Sequence, residues 1–356
     1  MQRTTWVWGR ALVVLVSMVG SRGVLADSAA ETTPDLAQNE REEKPLDPTP
    51  PTRNEVPPKR GSLFWLPLAS FAVPGLGPAI YGETAWGAGY FGTALSSEAL
   101  AFGYYAPQIR KRQSSADYEA LSDVDKGYEA QQGETSRKFA LSSQLGFASR
   151  SFSAWHTFRL AAETWRPAGS FKFMQVDEKP TDLMMAPFHF EYLTRLTTII
   201  PMSVAVGIYL LQAELVRSPP EGAPFSMQRD PFTSSDAAYT VGHSYLAGTH
   251  EEALFRGWLL PLVMEKWNSK VWANIFVASV FGLAHLSGDN PLPLPQLILG
   301  WHLGYVAQKR GMTLGESIFI HTWWDIVAFA SSYQYRQVNA SAAAPILWLP
   351  PLDMAF

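Results

Sequence analysis

Glu251 and Glu252 stand side by side in an apolar stretch from Leu246 to Val263, and Arg256 follows the second carboxylate by four residues. Phe281-Gly-Leu-Ala-His285 and His321-Thr-Trp-Trp-Asp325 come later, each inside another apolar segment. Carboxylates and imidazoles move protons near neutral pH, and together they can activate a water for attack on a carbonyl. Ionisable groups in membrane-grade helices are expensive and usually line a polar cavity or a reaction centre. Three such clusters in successive helices make an intramembrane active site the leading reading.

Helical spacing suggests a task for each residue. Residues four apart share a face, so Arg256 meets Glu252, and Glu252 becomes the neutralised partner. Glu251, rotated by about 100° on the same helix, is left to face a cavity as a general base. Phe281 and His285 share a face, while Gly282 and Ala284 admit a neighbouring helix closely. His285 could join Glu251 in orienting and deprotonating water. Asp325 beside His321 would fix the imidazole tautomer, leaving His321 to donate to a developing oxyanion. Each cluster alone also fits a buried ion pair or a hydrogen-bonded structural histidine. Depth favours convergence: Glu251 lies 15 residues before Lys266, His285 15 after Lys270 and His321 11 after Arg310. At about 1.5 Å per residue the first two match, and helix tilt or an offset start can supply the difference for the third.

The elements that must position these residues form an all-α, multi-pass transmembrane bundle. Leu196 to Leu215 is long enough to cross hydrocarbon, and helices follow at about Ala238–Met264, Trp272–Leu286, Leu294–Ala307 and Leu314–Ala330. Two short loops carry Lys266 with Lys270 and Lys309 with Arg310; alternating crossings put both on one side, and their charge marks it as cytoplasmic. Ahead of this region, residues 1–26 read as a signal peptide, with Arg3 and Arg10, a short apolar core and Val24-Leu25-Ala26. Residues 27–60 are a Pro-rich, acidic, disordered linker. Residues 61–113 form a small Gly/Pro-rich membrane module in which Pro74-Gly-Leu-Gly-Pro78 predicts a broken or re-entrant segment. It ends in Arg110-Lys-Arg112, expected to face the cytoplasm. Residues 114–190 read as an extramembrane or interfacial helical region, with Ser142 to Thr164 amphipathic, and 336–356 as a tail.

Composition narrows the function. The 356 residues are 47% hydrophobic, with 13 Trp, a net charge of −4 and no cysteine. Disulfides, thiolate nucleophiles and Cys-based zinc sites are excluded, and nucleic acid has no electrostatic case as a partner.

The order Glu-Glu-x-x-x-Arg, Phe-x-x-x-His, His-x-x-x-Asn/Asp, each in a membrane helix, resembles the CPBP family over about residues 190–335. That family holds the type II CAAX prenyl endopeptidases and the bacteriocin-processing and self-immunity proteins, including the lysostaphin-resistance-like group. Leu299-Gly300-Trp-His-Leu-Gly304-Tyr305 and Leu314-Gly-Glu-Ser-Ile-Phe-Ile-His321 are similar to its last two motif helices. The resemblance implies an intramembrane endopeptidase acting on a membrane-associated peptide, and the signal segment and linker, which look bacterial, place it in the bacterial plasma membrane. The resemblance also implies that Glu251 and His285 activate water, that His321 and Asp325 form the polar wall stabilising the tetrahedral intermediate, and that Glu252, Arg256 and Phe281 support them. Asp325 departs from the Asn usual there; an ionised Asp cannot donate to an oxyanion and would orient His321 instead.

No cofactor is expected. Zinc on Glu251, His285 and His321 is the alternative, but His250-Glu251-Glu252-Ala253-Leu254 lacks the second histidine of His-Glu-x-x-His. Two other classes remain open at this point: a non-catalytic membrane scaffold or immunity-type interaction protein, and a transporter using buried Glu and His as a proton relay.

Overall fold

In the computed structural model, residues 62–121, 125–126, 129–130, 133–165, 170–174, 178–218, 226–286 and 292–338 are described. The signal and linker expectations and most of the tail lie outside them.

The described chain is helical apart from one short ribbon. Its elements are α1 (Ser62–Ala72), α2 (Leu76–Ile80), α3 (Thr84–Glu98), α4 (Ala106–Gln113), α5 (Ala116–Glu119), α6 (Glu134–Trp165), α7 (Pro180–Met185) and α8 (Leu196–Arg217). Then come α9 (Ser234–Glu252), α10 (Leu260–Trp267), α11 (Lys270–Ala284), α12 (Leu294–Lys309) and α13 (Gly315–Gln334). Strands β1 (Ser226–Arg229) and β2 (Tyr335–Val338) pair antiparallel, Ser226 opposite Val338, and tie the chain entering α9 to the end of α13.

Local chemistry sets the ends of the helices that carry the motifs. At the start of α9, Thr233 Oγ1 accepts from the Asp236 N–H at 3.2 Å, and Asp236 Oδ2 accepts from the Thr233 N–H at 2.7 Å. This reciprocal cap satisfies two otherwise orphaned donors. Between α9 and α10, Ala253–Leu259 forms a widened π-turn, so the expected single helix from Ala238 to Met264 is continuous but locally unwound. Pro261 contributes, having no N–H for the turn before it.

Helix α6 is the centre of the fold. It packs along α1, α3 and α9, and its Trp155 and Phe158 are fully buried in the main apolar core with Phe171, Leu260, Phe281 and Ile318. The amphipathic, interfacial expectation for Ser142–Thr164 therefore gives way to a core helix. Arg150, which suggested a surface, is half-buried and paired: it forks onto Glu98 at 2.7 and 3.0 Å and caps the carbonyl of Ala72 at 2.7 Å.

The Pro74–Pro78 segment does break the helix. Helix α1 stops, Gly75 adopts φ 87°, and the chain doubles back as α2 before descending as α3. The turn is fastened at mid-height of α6, where Ser153 Oγ accepts from the Gly75 N–H at 2.7 Å and lies 2.7 Å from Ser70 Oγ. Glycine is required at position 75 by its left-handed φ and by the Gly87 backbone against it.

The two basic clusters end up apart. Gln308 Nε2 donates to the Lys270 carbonyl at 2.8 Å, which brings the Lys266/Lys270 and Lys309/Arg310 loops together as expected. Arg112, however, pairs with Glu129 just before α6, whereas Glu265 accepts from the Phe171 N–H just beyond that helix. The clusters thus lie toward opposite ends of a helix about 48 Å long. Both cannot face the cytoplasm of one spanning bundle, and the expectation for Arg110-Lys-Arg112 conflicts with that for the other pair.

Among the described residues, one helix, Leu196–Arg217, is long and apolar enough to cross a membrane.

Candidate active site

Glu251 lies in the last turn of α9, His285 closes α11, and His321 and Asp325 lie on one face of α13. The helices bring all four together. Glu251 Oε2 is 3.7 Å from His285 Nε2 and 3.8 Å from His321 Nε2, and Asp325 Oδ2 is 3.6 Å from that second nitrogen. These separations exceed a hydrogen bond and suit an intervening water or reacting group. Neither Glu251 oxygen has a hydrogen-bond partner, although the residue is only 1% exposed. A buried acceptor left in this way costs about 1–3 kcal/mol. That is tolerable where the group has work to do.

The imidazoles are held by their other nitrogens. His285 Nδ1 lies 2.7 Å from the Phe281 carbonyl oxygen, which can only accept, so Nδ1 carries the proton and Nε2 presents a lone pair toward Glu251. Phe281 supports the site through this carbonyl as well as through its ring, which stands 4.6 Å from that of His285. His321 Nδ1 lies 2.8 Å from Glu252 Oε1 and donates to it. The same oxygen accepts from Arg256 Nη1 at 2.8 Å, as the spacing of four predicted. Sequence reasoning assigned the orientation of His321 to Asp325. The contact of hydrogen-bond length comes instead from Glu252, and Asp325 stands off at 3.6 Å.

Arg256 is fully buried and completes a frame. It lies over the Phe281 ring at 4.3 Å and donates to the Gly300 carbonyl at 2.9 Å. Gly300 was noticed only as part of a motif helix; its role is to let Phe281 and Arg256 approach, because a Cβ there would sit 2.8 Å from the Phe281 ring. Gly248 is needed likewise where α9 meets Thr322 on α13. Nothing in local spacing marked Thr322. Two other histidines on these helices lie outside this centre: His302 Nε2 lies 2.8 Å from the Thr197 carbonyl oxygen and donates to it, and His250 packs edge-on against Phe147.

Glu178, in the chain before α7, caps the start of α13 by accepting from the Leu314 N–H at 2.7 Å. Burial pushes its carboxyl up to about 7, against the pull of the Leu314 hydrogen bond and of Arg159. Among the described residues, no three His, Asp or Glu side chains form a group that could hold a metal ion.

The site geometry lies within a recognised segment. Residues 233–327 match the family model described as type II CAAX prenyl endopeptidase Rce1-like, so the resemblance read from the three motifs holds over the segment that carries them. No curated protein and no solved structure matches the chain.

Proposed function

We propose that the chain is a multi-pass intramembrane endopeptidase that hydrolyses a membrane-associated peptide by direct water attack. The observation that carries this reading is the unpaired Glu251 carboxylate, flanked by imidazole nitrogens at 3.7 and 3.8 Å. Glu251 takes a proton from water held between it and the His285 Nε2 lone pair. The hydroxide adds to the scissile carbonyl, and His321, anchored through Nδ1–H to Glu252, donates from Nε2 to the oxyanion when that nitrogen is protonated. Collapse breaks the C–N bond as Glu251 returns the proton to the leaving amine. No side chain forms a covalent bond to substrate, and no metal takes part in these steps.

The distribution of polarity supports placement in a bilayer. Glu251, Glu252, Arg256 and Asp325 are buried, while Leu196, Ile200 and Leu210 on α8, Phe91 and Leu95 on α3, and Val271 and Trp272 on α11 are exposed. Such an inverted surface suits lipid better than water. Lys266, Lys270, Lys309 and Arg310 then mark the cytoplasmic end.

The deciding experiment incubates purified wild type, Glu251→Gln and His285→Ala with membrane peptides of the source cell and reads new termini by mass spectrometry. Termini unique to wild type are expected. Identical peptide sets from three folded proteins would overturn the peptidase reading and favour a scaffold.

A further inference from the structure

A second polar feature runs into the site from the opposite end of the bundle to Lys266. On α9, Asp236, Thr240, His243, Ser244 and Glu251 follow one another by steps that keep to a single stripe of the helix. This stripe lies in the interior, because α9 is packed between α6 and α13. Phe147 of α6 meets His250, Thr322 of α13 meets Gly248, and Phe329 of α13 meets His243 at 4.9 Å. Gln144 of α6 lies one turn before Phe147, between that contact and the one Leu141 makes with Gly242.

The groups along this seam are buried and unpaired. Both side-chain heteroatoms of Gln144, the hydroxyls of Thr240, Ser244 and Thr322, and His243 Nδ1 have no hydrogen-bond partner. None of these residues is more than 2% exposed. Buried polar atoms in proteins are almost always satisfied, by protein or by ordered water, and leaving this many dry would rival the stability of a domain. A polar, unsatisfied interior site is where bound water belongs. From Thr240 to Glu251 the seam runs about 16 Å along the helix. Its outer end is closed by Arg137, which pairs with Asp236 at 2.5 Å and lies over the rings of Tyr239 and Tyr333 at 5.4 and 5.0 Å.

We infer that this seam binds a file of water molecules and supplies Glu251 with the water it activates. The supply role rests on the water-attack reading; the hydration itself does not. A peptidase consumes one water per cleavage while the substrate covers the mouth of its site. A separate polar path behind the general base refills the site without requiring substrate to leave.

The test uses the full chain in phosphatidylethanolamine–phosphatidylglycerol nanodiscs. Hydroxyl radicals are generated by X-rays in heavy-oxygen water, and labelling is located by mass spectrometry. His243 and Phe329 are expected to label at least about tenfold faster than Phe158 in the dry core, since radicals form only where water is bound. Protection of His243 and Phe329 equal to that of Phe158 would overturn the proposal. The same labelling in Glu251→Gln would show that hydration does not depend on catalysis, and a labelled seam in a wild type that lacks peptidase activity would retain the water file and remove only the water-attack reading. Where wild type is active, Thr240→Val with Gln144→Leu should reduce both His243 labelling and kcat several-fold with KM unchanged. Unchanged kcat in a folded double variant whose labelling has fallen would overturn the supply role.

Discussion

His321 Nδ1 and Glu252 Oε1 are 2.8 Å apart, and this hydrogen bond, rather than the neighbouring Asp325, fixes the imidazole that faces Glu251. Glu252 is therefore both the counter-ion of Arg256 and the positioning residue for His321. Two Glu252 variants separate these jobs. Glu252→Ala leaves the Arg256 guanidinium buried without its carboxylate and should destabilise the fold by about 3–5 kcal/mol. Glu252→Gln keeps an acceptor near His321 and should fold, with kcat reduced about tenfold or more through loss of the charge that supports the ring. Thermal unfolding in detergent and peptide hydrolysis measured on both variants check the pair; a Glu252→Ala variant as stable as wild type would show that Arg256 has another counter-charge.

Asp325 stands where the family often has Asn. Its distance from His321 Nε2 is too long for a hydrogen bond, so it contributes charge near the ring rather than a fixed contact. Asp325→Asn introduces an amide that can donate to an oxyanion and should keep kcat within about tenfold of wild type. Asp325→Ala, which removes both charge and donor, should fall further. The reverse order, measured at saturating peptide, would assign Asp325 a role that depends on its charge.

How far the sequence revealed this arrangement depends on the range of each interaction. The Glu252–Arg256 pair was legible because it is set by one helical turn, and matched depths pointed to the convergence of Glu251 with His285. The His321–Glu252 contact was not, because it depends on how α9 and α13 register across 69 positions of chain. Helix α6 was misread for a related reason. Arg150 and Gln144 look like surface residues until Glu98 and the seam are brought against them. The opposed basic clusters show the same limit, since loop charge reports a side of the membrane only when the number of crossings between loops is known.

Gly300 offers a packing test of the catalytic frame. An added Cβ would lie 2.8 Å from the Phe281 ring and 3.1 Å from Arg256 Nη2, both of which are fixed by their own contacts. Overpacking of this kind costs about 1–3 kcal/mol, so Gly300→Ala should lower the melting temperature. Because the Phe281 carbonyl holds His285, kcat should fall as well. A stable variant with wild-type kcat would mean that Phe281 can shift without moving His285.

A chelator distinguishes the glutamate–histidine mechanism from zinc held by Glu251, His285 and His321. Peptide hydrolysis is expected to survive prolonged treatment with a strong chelator, and metal analysis of the active protein should find far less than one zinc per chain. Loss of activity on chelation with recovery on adding zinc would reverse the assignment and give Glu251 a ligand role.

Glu178 makes stability depend on pH. Its carboxyl is raised from the ordinary 4.5 to about 7, so between those values the folded chain keeps a proton that the unfolded chain has lost. Stability accordingly falls as pH rises from about 4.5 to about 7 and levels off above that, once both states are ionised. The side chain as a whole is half-buried while its Oε2 is buried and unpaired, so solvent reduces the effect to about 1–2 kcal/mol. Glu178→Gln keeps an acceptor for the Leu314 N–H but cannot ionise. Melting temperatures across this range should slope downward in wild type and flatten in the variant. Parallel slopes would place the titrating group elsewhere. Because Glu178 caps the helix that carries His321 and Asp325, the variant's kcat profile should also lose any component in the same pH window, while its value at pH 5, where the wild-type group is protonated, stays close to wild type.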